Sequence, residues 1–407
     1  MLKKIPTRDA QLGMYIQSME GSWLSHPFWK TRFVLTEPAD LDALVRSKVS
    51  AIWIDVSKGS DVPHAVPAAA PPPAAHVAVP AEPPPAPAPA NSAQVPIASE
   101  LSRAAQVING SRQKVISLFS EVRMGRAIDL EQCLPVVEDV ADSISRNASA
   151  LISLARLKTQ DDYTYMHSVA VCALMVSLAR QLGMDEAQTR EAGLAGLLHD
   201  VGKMLVPIEV LNKPGRLTDD EFALIKHHPE RGHALLKAGN AAPASALDVC
   251  LHHHEKMDGT GYPEKLKGEQ ISLLARMGAV CDVYDAITSN RAYKSAWDPA
   301  VSLQRMAQWN GHFDNGVFQA FVKSLGIYPV GSLVRLESGR MAVVVEQSGT
   351  GLLTPTVRIF YSSNSKMPLP VELLDLGKPG VQDRIVSREQ PADWGFTQID
   401  EIWRLGA

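Results

Sequence analysis

Between Asp61 and about Val95 the chain is almost entirely proline and alanine, and no stretch of that composition can join a folded core. Proline removes backbone donors and fixes its own φ, while alanine brings too little apolar bulk to collapse around. The run reads as an extended, polyproline-like spacer. A chain of 407 residues interrupted in this way must fold as separate units on either side.

Ahead of the spacer, short apolar runs (Met14-Tyr15-Ile16, Phe33-Val34-Leu35, Ala51-Ile52-Trp53-Ile54-Asp55) alternate with Trp23, Pro27, Phe28 and Trp29. They predict a small α/β module whose aromatics form its own core, and no chemistry is assigned to it. Past the spacer, apolar residues recur at helical spacing from Ser102 to Leu157 and onward to about Gly326. Beyond Tyr328 the pattern turns to alternating, β-branched runs, Ser332-Leu333-Val334-Arg335-Leu336, Met341-Ala342-Val343-Val344-Val345 and Val357-Arg358-Ile359-Phe360, separated by Gly and Pro turns. The expected fold class is multidomain and mainly α. The α/β module occupies 1–60, the linker 61–98, connecting helices 99–158, the main helical domain 159–326, and a small β domain with a tail 327–407.

A net charge of −4 leaves no basic surplus for a nucleic-acid backbone, so duplex nucleic acid is not an expected partner. No apolar run approaches the roughly 20 residues of a membrane span, and Pro6, Arg8 and Asp9 stand where a signal peptide would need its apolar stretch. Cys133, Cys172, Cys250 and Cys281 show no Cys-x-x-Cys spacing. They read as small core residues of a cytoplasmic protein.

The chemistry lies in the helical domain. His167 shares a face with Val171, Leu174, Met175 and Leu178, a pattern that taken alone describes a packed core histidine. The next helix ends in His199-Asp200 before Gly202, and a buried carboxylate there needs a cation or several donors. Thr218-Asp219-Asp220-Glu221 is a capping box opening a helix that is expected to run to His227-His228. On that helix His228 faces inward and His227 outward. The run His252-His253-His254-Glu255 adjoins a glycine-rich loop, and a later helix carries Ala275, Gly278, Asp282 and Asp285 on one face. Arg291-Ala292-Tyr293-Lys294, ordinarily a solvated turn, has the charge and ring to suit a phosphate and a base.

In order along the chain, His167, His199-Asp200-Val201-Gly202-Lys203, Lys213-Pro214-Gly215, His228-Pro229-Glu230, His253-His254-Glu255, Asp258-Gly259-Thr260-Gly261-Tyr262-Pro263, Asp282-Val283-Tyr284-Asp285 and Arg291-Ala292-Tyr293-Lys294 resemble the HD-GYP family of cyclic di-GMP phosphodiesterases, within the HD phosphohydrolases. The resemblance covers about Thr159 to Phe321. Gly13-Met14-Tyr15 and His26-Pro27-Phe28 also resemble the uncharacterised module that often precedes this domain in bacteria.

The resemblance implies an HD-type helical bundle with two divalent metal ions, Fe or Mn, as nitrogen and oxygen ligands suit. His167, His199, Asp200 and Asp282 would hold one metal; His228, His253 and His254 would supply the other, with Asp200 bridging. Tyr163 stands where some members place a glutamate for a third metal, so two are expected. A bridging hydroxide would attack phosphorus. Asp200 and Lys203 are the implied catalytic residues. Lys203, Gly261, Tyr262, Asp285, Arg291 and Lys294 are the substrate contacts, with Asp285 left open between a base contact and a partner orienting a ligand.

The implied role is bacterial signalling, with hydrolysis of cyclic di-GMP to linear pGpG and the onward step to GMP left open. Diguanylate cyclase domains are implied partners, and a homodimer is left open. Two alternatives stand beside this reading. One is a phosphodiesterase for another cyclic dinucleotide, cyclic GMP-AMP. The other is a non-catalytic cyclic di-GMP receptor or adaptor, against which the intact ligand set argues.

Overall fold

The computed structural model describes residues 2–19, 33–36, 38–46, 49, 51–60, 95–158, 163–213, 215–239, 242–290, 296–348 and 351–404. Trp23, Pro27, Phe28, Trp29, most of the proline- and alanine-rich run, Pro214, Arg291 and Lys294 lie outside the described residues. The chain divides into two compact units, Met1–Ser92 and Ala93–Ala407.

In the first unit β1 (Leu2–Pro6), β2 (Tyr15–Met19), β3 (Phe33–Val34) and β4 (Ala51–Asp55) form an antiparallel sheet of order β1-β4-β2-β3, with α1 (Pro38–Arg46) between β3 and β4 in the chain. Alternation puts Ile52 and Ile54 on one face of β4, and they bury with Ile5, Met14, Ile16, Leu35 and Leu44.

The second unit begins with two long helices, α2 (Ile97–Arg123) and α3 (Leu134–Ala155). The periodicity that reads as continuous from Ser102 to Leu157 is broken between them and again at Asn147 (φ −161, ψ 102). There the side-chain amide donates to the Val95 carbonyl at 2.8 Å and its oxygen accepts from the Ala150 amide at 3.1 Å. The side chain thus replaces helical bonds that the kink removes.

The bundle continues through α4 (Tyr163–Gln181), α5 (Glu186–Leu198), α6 (Ile208–Leu211), α7 (Asp219–Lys226), α8 (His228–Ala238), α9 (Ala244–His252), α10 (Leu273–Thr288), α11 (Pro299–Met306) and α12 (Asn315–Leu325). Asp185 and Gln188 form a capping box on α5, and Thr218 and Glu221 one on α7. Ser272 caps α10 and Asp314 caps α12. The chain closes with an antiparallel sheet of order β8-β7-β6-β5-β9, from β5 (Leu333–Leu336), β6 (Arg340–Glu346), β7 (Thr356–Ser362), β8 (Met367–Asp375) and β9 (Ile385–Arg388), followed by α13 (Ile399–Arg404). The Glu346 carboxylate of β6 accepts from the Ile97 amide at 2.9 Å, so the sheet satisfies a free donor at the start of α2.

Candidate metal centre

Five helices bring their ligand-bearing residues to one buried point. His167 comes from the second turn of α4, His199 and Asp200 from the end of α5, His228 from the first position of α8, His253 and His254 from the end of α9, and Asp282 from the middle of α10. Placing three of these groups at helix ends lets side chains meet without carrying a helix through the cavity. α7 stops at Lys226, and α8 starts at His228 rather than continuing the earlier helix. His228 therefore faces inward because the chain turns at His227, not because of the phase of a single helix. Its neighbour His227 is exposed and pairs with Glu230 at 2.5 Å.

The seven residues form two groups. In His167, His199, Asp200 and Asp282 one ligand atom from each lies within 4.8 Å of the others, and the same holds for His228, His253 and His254. Asp200 joins them. Its Oδ2 lies 3.3 Å from Nε2 of both His167 and His199, while its Oδ1 lies 3.0 Å from His228 Nε2 and 3.7 Å from His253 Nε2. Asp282 also spans the groups, with Oδ1 at 3.0 Å from His167 Nε2 and Oδ2 at 3.8 Å from His254 Nδ1. This second reach of Asp282 depends on its rotamer and leaves no mark in a sequence.

The tautomers are fixed from behind. His199 Nδ1 faces the Gly196 carbonyl at 2.8 Å, His228 Nδ1 the Ile225 carbonyl at 2.8 Å, and His253 Nδ1 the Val249 carbonyl at 2.9 Å. A carbonyl only accepts, so each Nδ1 carries the hydrogen and each Nε2 offers a lone pair to the cavity. The Nε2 atoms of His228 and His253 then face each other 3.3 Å apart, an arrangement a cation between them would relieve. His199 Nε2 and Asp200 Oδ1 are buried without a hydrogen-bond partner, at a cost of about 1–3 kcal/mol each if nothing fills the space. These orphaned atoms and facing lone pairs fit divalent metal ions.

Charge states agree with that fit. Burial pushes His254 down to about 3, and lowers His253 well below the usual range and His228 less far, so these rings are neutral. Burial would raise Asp200 and Asp282, but the Lys203 ammonium beside the first and the His167 ring beside the second hold both well below the usual carboxylate range. His167 differs: burial works against its charge, yet Asp200, Asp282 and Asp285 outweigh that and raise it to about 10. A divalent cation among the same carboxylates would compete with that proton.

Glycines shape the wall. A Cβ on Gly202 would sit 1.9 Å from the His228 carbonyl oxygen and 2.6 Å from the Gly232 nitrogen. Only a bare backbone lets the turn after His199-Asp200 pack on α8. Gly261 has a similar reason, since its Cβ would lie 2.5 Å from the Glu255 Cα; this close approach accounts for Gly261 without a substrate contact.

Lys203 extends its ammonium to Asp200 Oδ2 at 2.5 Å and remains 21% exposed. Tyr262 stacks on His254, with ring centroids 4.7 Å apart, and the Lys226 ammonium lies 4.9 Å from the Tyr262 ring centre. His252 points elsewhere, pairing with Asp248 at 2.7 Å. Tyr163 stacks against His167 at 5.8 Å. Asp285 is not at the mouth of the site: it is buried, and its Oδ2 accepts from His167 Nδ1 at 2.6 Å. Of the two roles the sequence leaves open for Asp285, that placement matches a partner orienting a ligand, because the carboxylate is engaged behind His167. Lys158, which sequence reasoning did not single out, donates to the same carboxylate oxygen. Its position past the end of α3 gives it no periodic signal.

A helical bundle gathering a histidine, a His-Asp pair and a distant aspartate around one buried point defines the HD-domain class, and residues 136–317 match the family described as HD domain. Residues 2–133 match a domain of unknown function. A cyclic di-GMP phosphodiesterase of Pseudomonas aeruginosa is 55% identical over 406 residues, covering 99% of this chain and 96% of that protein. The chain belongs to the HD-GYP family. The cyclic di-GMP phosphodiesterase response regulator RpfG of Xanthomonas campestris is 37% identical over 50% of this chain and 54% of its own length. A 3′3′-cGAMP-specific phosphodiesterase of Vibrio cholerae is 36% identical over 37% of this chain and 29% of its own.

Proposed function

We propose that this protein hydrolyses cyclic di-GMP, opening the ring to linear pGpG, with two divalent metal ions. The observation that carries the reading is Asp200, whose two oxygens face two separate groups of buried histidine nitrogens. His167, His199, Asp200 and Asp282 would hold one ion, and His228, His253 and His254 the other with Asp200 shared. The donors are nitrogen and oxygen with no thiolate, which favours Fe or Mn. Bound there, the ions would supply an activated water and Lewis acidity at the scissile phosphate.

The chain's own groups do the remaining work. The partly exposed Lys203 ammonium beside Asp200 offers positive charge to an incoming phosphate. Tyr262, stacked on His254 with the Lys226 ammonium near its ring, is the aromatic assigned to the substrate. Arg291 and Lys294 are assigned to phosphate on the sequence pattern alone. No helix among the described residues is long and apolar enough to cross a membrane. We assign the enzyme to the cytosol because its four cysteines are free thiols, as a reducing compartment keeps them.

The full-length similarity to the Pseudomonas enzyme favours cyclic di-GMP over cyclic GMP-AMP, since the cGAMP-specific relative aligns over a shorter part of the chain. Anaerobic purification with metal analysis, followed by turnover of both cyclic dinucleotides side by side, tests the proposal. Two ions per chain and faster cleavage of cyclic di-GMP are expected. Preference for cyclic GMP-AMP would overturn the substrate, and a metal-loaded protein that binds without cleaving would overturn the reaction.

A further inference from the structure

Lys158 is a buried lysine whose side chain has no exposed surface. Taking an ammonium out of water costs several kcal/mol unless charge and hydrogen bonds replace the lost hydration. Here its Nζ donates to Asp285 Oδ2, donates to Ser289 Oγ at 2.9 Å, and lies 5.7 Å from the centre of the Tyr163 ring, within cation–π range. Two of these three partners touch His167. Asp285 Oδ2 accepts from His167 Nδ1 at 2.6 Å, and the Tyr163 ring lies nearly parallel to the imidazole, 10° apart at 5.8 Å.

His167 differs from the other ligand histidines in how it is held. His199 and His253 rest on backbone carbonyls of the helices they end, and His228 on the Ile225 carbonyl of α7, none of which can rotate. His167 rests on a side-chain carboxylate from α10, which can. A carboxylate orients a ligand only if its own rotamer is fixed. Lys158, leaving the end of α3, supplies that fixation at the same oxygen atom that His167 uses. Its ammonium also anchors the ring on one side of the imidazole.

We propose that Lys158 is a positioning residue for the metal centre, acting through Asp285 to aim His167 Nε2 at Asp200 and Asp282. The inference rests on the two-metal reading above. It assigns a role to a residue outside every motif that marks the site.

The test is Mn(II) titration of metal-free full-length protein by calorimetry, with far-UV circular dichroism and urea midpoints recorded on the same metal-free samples. Lys158→Met, Asp285→Ala and the double variant are compared with the parent. Lys158→Met should weaken the Mn(II) site that His167 serves by roughly 10–100-fold, the range for removing outer partners of a ligand, with a parallel fall in bound metal after purification. Since Lys158 acts through Asp285, the double variant should bind no more weakly than Asp285→Ala alone. Should Lys158→Met not fold, Lys158→Gln, which keeps one donor for the carboxylate, carries the same cycle and should show a smaller loss.

A purely structural Lys158 would lower the urea midpoint and leave Mn(II) affinity of the folded fraction at the parental value, which overturns the proposal. Additive losses in the double variant overturn it too, by showing a route that bypasses Asp285. Parental protein that takes up no Mn(II) would instead overturn the metal reading itself, a distinct outcome from parental loading with an indifferent Lys158 variant.

Discussion

The two sides of the metal centre are built differently. On one side, α4 buries every residue from Met166 to Ala179, and α10 buries Met277 through Asp282 without a gap. On the other, α6 and α7 have no buried residue, and Leu205, Ile208 and Phe222 are 41%, 47% and 57% exposed. Both sides lead to the same site, since His167 and Asp282 sit on the first and Lys203 and His228 bracket the second. Ligand geometry is thus set by close packing, in which a small displacement meets resistance from all sides. The rim is held mainly by polar contacts, such as Lys213 to Glu221 at 2.7 Å, and belongs to the low-stability end of the fold.

The comparison breaks most visibly at Asp200, whose two oxygens each face a pair of histidine nitrogens, one pair in each group. Asp200→Ala should reduce cyclic di-GMP turnover by roughly 10⁴-fold or more, and bound metal should fall with it. Metal analysis and product chromatography on the folded variant check both. Turnover at the parental rate would show that the two groups do not work as one centre.

The junction between packed wall and rim falls at His227-His228, where neighbours have opposite environments. His228→Ala removes a buried donor and should cost more than the roughly 10–100-fold typical of outer partners. His227→Ala changes an exposed side chain and should stay within about twofold, as surface substitutions do. Equal losses in steady-state rates would mean that the turn between α7 and α8 does not separate them.

That pair also shows what a sequence can and cannot convey. The fold class and the inward direction of His167, Asp200 and Asp282 were legible because polar residues stood in apolar helical patterns within a set of ordered motifs. His228 was assigned inward on a helix that does not continue through it; Pro229, at the second position of α8, was the available sign of a new start. Asp285 shares a face with Asp282, and periodicity alone cannot tell a residue facing a cavity from one behind a ligand. Lys158 and the second oxygen of Asp282 were invisible because irregular backbone and side-chain rotamers have no period to read.

Gly202 tests whether the rim depends on the wall. Gly202→Ala would drive a methyl group into the His228 carbonyl and the Gly232 amide, an overpacking worth about 1–3 kcal/mol. Because the clash falls on the first turn of α8, the affected ligand should be His228 rather than His167. One of two bound Mn(II) ions should weaken, with a lowered urea midpoint. Uniform weakening of both ions would show that the clash is not confined to the group His228 belongs to.

The smallest effect should come from the rim itself. Thr218 caps α7 by accepting from the Glu221 amide at 3.2 Å, while Glu221 returns the bond to the Thr218 amide at 2.7 Å. Thr218→Ala removes one half of that box, a loss of about 1 kcal/mol for the helix. In a helix with a buried face that loss would lower global stability by the same amount. α7 has no buried residue, so the loss should stay local: amide exchange across Asp219–Lys226 should speed by roughly fivefold, as about 1 kcal/mol implies, while the urea midpoint holds. A shift of the midpoint matching the local change would show that α7 unfolds together with the core, and the contrast between the two sides of the site would be lost.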